Sequence, residues 1–252
     1  VSSQFTRAVG VSSTWLLRCK GHGCSCIDSM MRRLSVWGEI WPMAVAGALS
    51  PTITVIVLAI LMQPDKPRTR AMAFLLGAVL SMLFWALLVS SAVWGLVTAT
   101  ERDIERYGRG IDLVVGVLLF AFGFWRLVRS PDPRTKSKPY LANLSDGPLR
   151  YQVAFGAIMQ GRNVTSVLLF CAAQQHIDIA PLAMWQALTL TAVTIAIMVS
   201  SIWLPMLLPI RATDTLHSRL NPAKEWLADR AKLIEVGAAV VGSAYLLYRA
   251  CA

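Results

Sequence analysis

The sequence predicts an all-α, polytopic membrane protein whose six transmembrane helices form two inverted three-helix repeats, and three observations predict it. First, hydrophobic residues make up 56% of the 252-residue chain and charged residues only 15%, against about 45–50% and about 25% in soluble domains. Second, uncharged runs cover residues 40–64, 71–100, 113–125, 163–177, 179–210 and 236–248. Three of them exceed the roughly 20 residues needed to cross a 30 Å hydrocarbon layer. Third, an acid, an aromatic residue and an arginine recur at one spacing in the third and last runs. The first two observations exclude a soluble enzyme with a charged cleft, and no enzymatic activity, metal or cofactor is expected.

Span one covers about 41–62, between Glu39 and the turn Gln63-Pro64-Asp65-Lys66-Pro67, with Trp37 and Trp41 where interfacial aromatics belong. Span two covers about 71–97, from Arg70 toward Glu101. Only 13 uncharged residues separate Asp112 from Arg126, which at 1.5 Å each reach about 20 Å. Span three must therefore run from about 110 to 129, with Asp112 drawn inward and Arg126 snorkelling outward. Span four, about 152–175, holds the single internal charge Arg162, and span five, about 181–208, carries Pro205 and Pro209 near its end. Span six, about 233–250, is enclosed by Glu235 and Arg249.

The ends and connections divide the chain further. Residues 1–30 read as an extension outside the folded protein. The chain begins with Val1, and Met30-Met31-Arg32-Arg33 looks like a start just ahead of span one. Within that extension Cys19, Cys24 and Cys26 flank His22, but no second ligand pair follows at zinc-finger distance. The first repeat then occupies 31–129, a Pro-rich polar linker 130–150, and the second repeat 151–252. Within the latter, Leu216, Leu220, Trp226, Leu227 and Leu233 recur among charges over 211–232, the pattern of an amphipathic helix on a membrane surface.

The net charge of +10 is an orientation signal. Connections after spans one, three and five carry 14 Lys and Arg, and the opposite side, from Arg32 onward, carries 6. The positive-inside rule then puts loops 63–70, 126–150 and 211–232 in the cytoplasm and both termini outside. No basic stripe interleaved with aromatics is present, so no nucleic-acid partner is expected, while membrane lipids are.

Ile111-Asp112 precedes Trp125-Arg126 as Ile234-Glu235 precedes Tyr248-Arg249, with the acid 14 residues before the arginine in both. Spans one and four also correspond, through Gly47-Ala48 before Ser50-Pro51 and Gly156-Ala157 before Gln160-Gly161-Arg162-Asn163. Three spans per half make the second half enter the membrane the other way up, the plan of many secondary transporters.

In such folds substrates bind near the midplane beside interrupted helices. The candidates here are Ser50, Pro51 and Thr52 in span one and Gln160, Gly161, Arg162 and Asn163 in span four. Pro51 has no N–H, which frees the carbonyl four residues earlier. A charge near the bilayer centre costs about 2.5–3.5 kcal/mol on insertion scales, so Arg162 should face an interior cavity. There its guanidinium would either bind an anionic head group through two oxygens or pair structurally with Asp112 or Glu235. Those two carboxylates would carry protons or complement a helix N-terminus. His176 and Asp178 read as a short solvated loop after span four.

Gly47-Ala48-Leu49-Ser50-Pro51, Gly77, Asp112-Leu113-Val114-Val115-Gly116-Val117-Leu118-Leu119 and Trp125-Arg126 resemble the lysine-exporter (LysE-like) superfamily. Within it the closer resemblance is to the GAP family of peptidoglycolipid- and sulfolipid-addressing proteins, supported by Leu204-Pro205, Trp226-Leu227 and Gly242-Ser243-Ala244-Tyr245-Leu246-Leu247-Tyr248-Arg249. The resemblance covers about 40–252. It implies a six-helix inner-membrane protein that assists export of cell-envelope glycolipids, working beside a larger lipid-export transporter. The Asn-Pro-Lys-like break of amino-acid exporters stands here as Gln160-Gly161-Arg162, without the proline. The superfamily's thiol-electron carriers need a membrane cysteine in each half, and span one has none to match Cys171.

Two other readings stay open: a small-solute exporter for an amino acid or metal ion, driven by ion exchange, and a non-transport scaffold of an envelope export complex. A homo-oligomer is compatible with all three. No nucleotide-binding loop is present, so any ATP use would come from a partner.

Overall fold

The computed structural model describes residues 24–63, 65–99, 104–128, 148–207 and 214–251. Most of the expected extension (1–23) and most of the polar linker (129–147) lie outside the described residues. The chain divides between Gly38 and Glu39, and the helix bundle belongs to the unit from Glu39 onward.

The described residues are helical. Helix α1 spans Cys24–Ala48, α2 Pro51–Leu61, α3 Pro67–Ala99, α4 Ile104–Val128, α5 Leu149–Arg162, α6 Val164–Ile179, α7 Met184–Met198, α8 Ser200–Met206 and α9 Asp214–Cys251. Three stretches are long and apolar enough to cross a membrane unbroken: Pro67–Gly95, Gly108–Val128 and Asp229–Cys251. Three bent pairs each qualify as one further span: Val36–Ala48 with α2 (54°), α5 with α6 (76°) and α7 with α8 (62°). This is a polytopic all-α membrane protein with three to six spans.

The packing is that of a chain in lipid. Polar residues go inward, where Gln152, Gln160, Thr165, Ser166, Gln174, Gln175, Thr194 and Ser243 are all buried. Large apolar side chains such as Phe84, Leu87, Val117, Phe120 and Phe124 face outward. Hydrocarbon solvates the latter and cannot hydrogen-bond the former, so polar groups turn inward, toward protein.

Helix α6 is the centre, touching α3, α4, α5, α7 and α9. Around it α4 packs along α9, and α3 along α5. The first pair is antiparallel, because a Cβ on Gly116 would meet Leu246 and Leu247 while one on Gly123 would meet Ala239 and Val240. In the second pair backbones touch, with Gly77 against the Val153 carbonyl and Gly156 against the Phe74 carbonyl. Small residues permit such approach, which compensates for the missing hydrophobic drive between helices in lipid.

Three features of the spans have local causes. Span four bends at Asn163, whose ψ of 80° leaves the helical region. Span five bends at Val199, earlier than its prolines suggest. The carbonyl of Ala196, at that bend, is taken by Trp203 Nε1 at 2.9 Å. Of the stretch expected as a surface helix over 211–232, the described part from Asp214 runs without interruption into span six as α9, with Pro222 inside it.

Candidate functional site

The two interrupted spans meet. Gly47 lies four residues before Pro51, so its carbonyl has no α-helical donor. That oxygen accepts from Ser166 Oγ at 2.5 Å, and Ser166 in turn accepts from Asn163 Nδ2 at 2.7 Å. Ser166 thus ties the break of the first half to the break of the second. On the far side of the first break, Ser50 O starts α2 by accepting from Thr54 N at 3.1 Å and Thr54 Oγ1 at 3.0 Å. Ser50 and Pro51 are buried, whereas Thr52 is exposed and donates to Glu235.

Around the second break the residues diverge. Gln160 is 2% exposed, and its Nε2 has no hydrogen-bond partner among the described residues. Gly161 approaches α3 at Ser81, whose Oγ would lie 3.5 Å from an added Cβ. Ser81 is halfway along the apolar stretch Pro67–Gly95. Arg162, the next residue, is therefore at mid-depth and exposed. Neither carboxylate considered as its partner faces it, because Asp112 bonds His176 and Glu235 bonds Arg126.

Those carboxylates mark two ionic clusters at opposite ends of the α4–α9 pair. Antiparallel packing with equal 14-residue spacing brings the acid end of each helix beside the arginine end of the other. At one end Arg126 Nη2 and Thr52 Oγ1 donate to Glu235, and Lys232 Nζ reaches Leu127 O at 3.2 Å. At the other end Asp112 Oδ1 lies 3.1 Å from His176 Nε2, and Arg249 Nη1 lies 3.3 Å from the same nitrogen. Arg249 Nη2 donates to Glu39 Oε2 at 2.9 Å, and Tyr245 Oη donates to Glu39 O at 3.2 Å. Both acids lie beyond the first turn of their helices, α4 starting at Ile104 and α9 at Asp214. Complementing a helix N-terminus is thus not their role, since that effect fades within one turn.

Sequence reasoning missed His176 and Asp178. Both belong to α6 rather than to a loop, and Asp178 joins Ser90 and Gln174 in a network that Thr191 completes. The available signal was the placement of four polar residues, Gln174, Gln175, His176 and Asp178, at the end of an otherwise apolar span. No group of three or more His, Cys, Asp or Glu suited to a metal ion occurs among the described residues.

A family model described as Sap, sulfolipid-1-addressing protein, matches residues 40–252. The chain belongs to this family. The match takes in both breaks, Arg162 and all of both ionic clusters except Glu39. Comparison with curated proteins and with solved structures finds no match. The Sap family name points to the addressing of a sulfolipid.

Proposed function

We propose that this Sap-family chain assists export of an anionic cell-envelope glycolipid through the inner membrane, with the paired breaks as its head-group site. The observation that carries the reading is Arg162: exposed, at mid-depth, with Asp112 and Glu235 both engaged elsewhere. A guanidinium exposed to lipid is costly, and a sulfate or phosphate head group would relieve that cost with two parallel charge-assisted hydrogen bonds. Exposure suits a substrate whose acyl tails stay in the bilayer, whereas a small-solute site would enclose the cation.

The two halves act as inverted repeats of a LysE-like plan: α2 packs on α9 as α6 packs on α4, and each half contributes one break to the centre. Loops 63–70, 126–150 and 211–232 face the cytoplasm in this reading, the side the charge bias favours. A larger lipid-export transporter would supply the energy, and this chain would present the lipid to it.

Replacing Arg162 by Gln tests the assignment. Losing a charge-assisted pair, about 1.5–3 kcal/mol, corresponds to about tenfold or more in head-group binding. Surface lipids measured by mass spectrometry should fall accordingly at unchanged protein abundance, with Arg162→Lys retaining part of the export. Full export by Arg162→Gln would leave Arg162 without this role.

A further inference from the structure

We infer that Asp112, His176, Arg249 and Glu39 form a proton-binding latch that closes one end of the helix bundle when protonated and loosens it when the proton leaves. Arg162 lies at the break and touches none of these groups, so the latch does not depend on a head-group role for that arginine.

The geometry turns on one nitrogen. His176 Nε2 is 3.1 Å from Asp112 Oδ1 and 3.3 Å from Arg249 Nη1. It cannot serve both, since donating to the carboxylate requires a hydrogen and accepting from the guanidinium requires a lone pair. Charge decides between them. Two carboxylates, Asp112 and Glu39, face one guanidinium, so with both carboxylates ionised the cluster is neutral when the imidazole of His176 holds a proton. Asp112 is 3% exposed, and His176 is its one hydrogen-bond partner among the described residues. A buried carboxylate without a counter-charge is costly. That outweighs repulsion between the imidazolium and Arg249, which is partly exposed and already paired with Glu39.

Other groups near the imidazole leave this balance intact. From α9 come Arg249 and Tyr245, the latter donating to the Glu39 backbone. From α4 come Asp112 and, one turn earlier, the exposed Arg109. From α1 comes Glu39. Asp178, on α6 itself, is turned toward Ser90 and Gln174. Four helices, α1, α4, α6 and α9, therefore meet at a site whose net charge changes with one proton. The opposite cluster contains no imidazole among the described residues, and Glu235 there is matched by Arg126, so only one end responds.

The test is amide hydrogen exchange of the full chain in phospholipid nanodiscs, followed at about pH 5 and about pH 8, the range in which imidazoles change charge. Rates are corrected for intrinsic chemistry. Segments 108–114 and 245–251 should exchange at least about tenfold faster at the higher pH, while 122–128 and 232–238 stay constant and serve as the internal reference. The double variant Asp112→Asn/His176→Gln replaces the carboxylate and the imidazole by two neutral amides that still hydrogen-bond. It should fold and lose the pH dependence. Arg162→Gln should retain it. Wild-type exchange indifferent to pH at 108–114, or a pH response that persists in the double variant, would overturn the latch.

Discussion

Gly77→Ala and Gly156→Ala should each prevent α3 and α5 from docking. A methyl at residue 77 would sit 1.9 Å from the Val153 carbonyl oxygen, and one at residue 156 would sit 2.2 Å from the Phe74 carbonyl oxygen. Both obstacles are backbone, so no rotamer change relieves them and the helices must separate by roughly an ångström. Separation forfeits close packing along the whole pair, including Phe74 against Phe155 at 5.8 Å. The cost should exceed the usual 1–3 kcal/mol of overpacking and reach about 4 kcal/mol or more. Gly110→Ala and Gly237→Ala are the controls, because nothing lies within 4 Å of a Cβ at either position. They should be neutral or slightly stabilising, as alanine is the better helix former by about 1 kcal/mol. Thermal unfolding and monodisperse yield in mild detergent read the difference. Near-wild-type yield and melting temperature for Gly77→Ala would mean the two backbones are not in contact.

The apolar stretches and their order were legible in the sequence because charge placement is a one-dimensional signal, and each falls on a long apolar helix or a bent helix pair. The first break was legible as well, since Pro51 names the carbonyl it orphans. The second was half legible: Gln160-Gly161-Arg162-Asn163 is polar, but nothing local specifies a 76° bend. The third had no signal in the sequence, since Pro205 and Pro209 mark the end of span five while the bend falls at Val199. What escaped were relations between distant residues. His176 meets Asp112 and Arg249 across 64 and 73 positions, and Gly77 meets α5 through backbone alone. The equal acid-to-arginine spacing in α4 and α9 did contain one long-range relation. Two antiparallel helices with that spacing must bring each acid near the other's arginine, whatever lies between.

The junction of the two breaks yields the other large effect. Ser166→Ala removes the hydroxyl that satisfies Gly47 O at 2.5 Å and that accepts from Asn163 at 2.7 Å. The orphaned carbonyl lies where neither lipid nor water replaces the bond, which should cost about 1–3 kcal/mol. Pro51→Ala acts on the same carbonyl from the other side, restoring an N–H at the position α-helical geometry provides. The two substitutions should therefore be non-additive, with Pro51→Ala offsetting part of the Ser166→Ala loss in a double-mutant cycle of melting temperatures. Function should move the opposite way. Completing the first span as a straight helix takes up the Gly47 carbonyl and loosens the tie between the two breaks. Export should then fall in Pro51→Ala even as stability recovers. A site merely tolerated for packing would show stability and export moving together. Equal melting temperatures for wild type and Ser166→Ala would show that the two halves are not joined at this point.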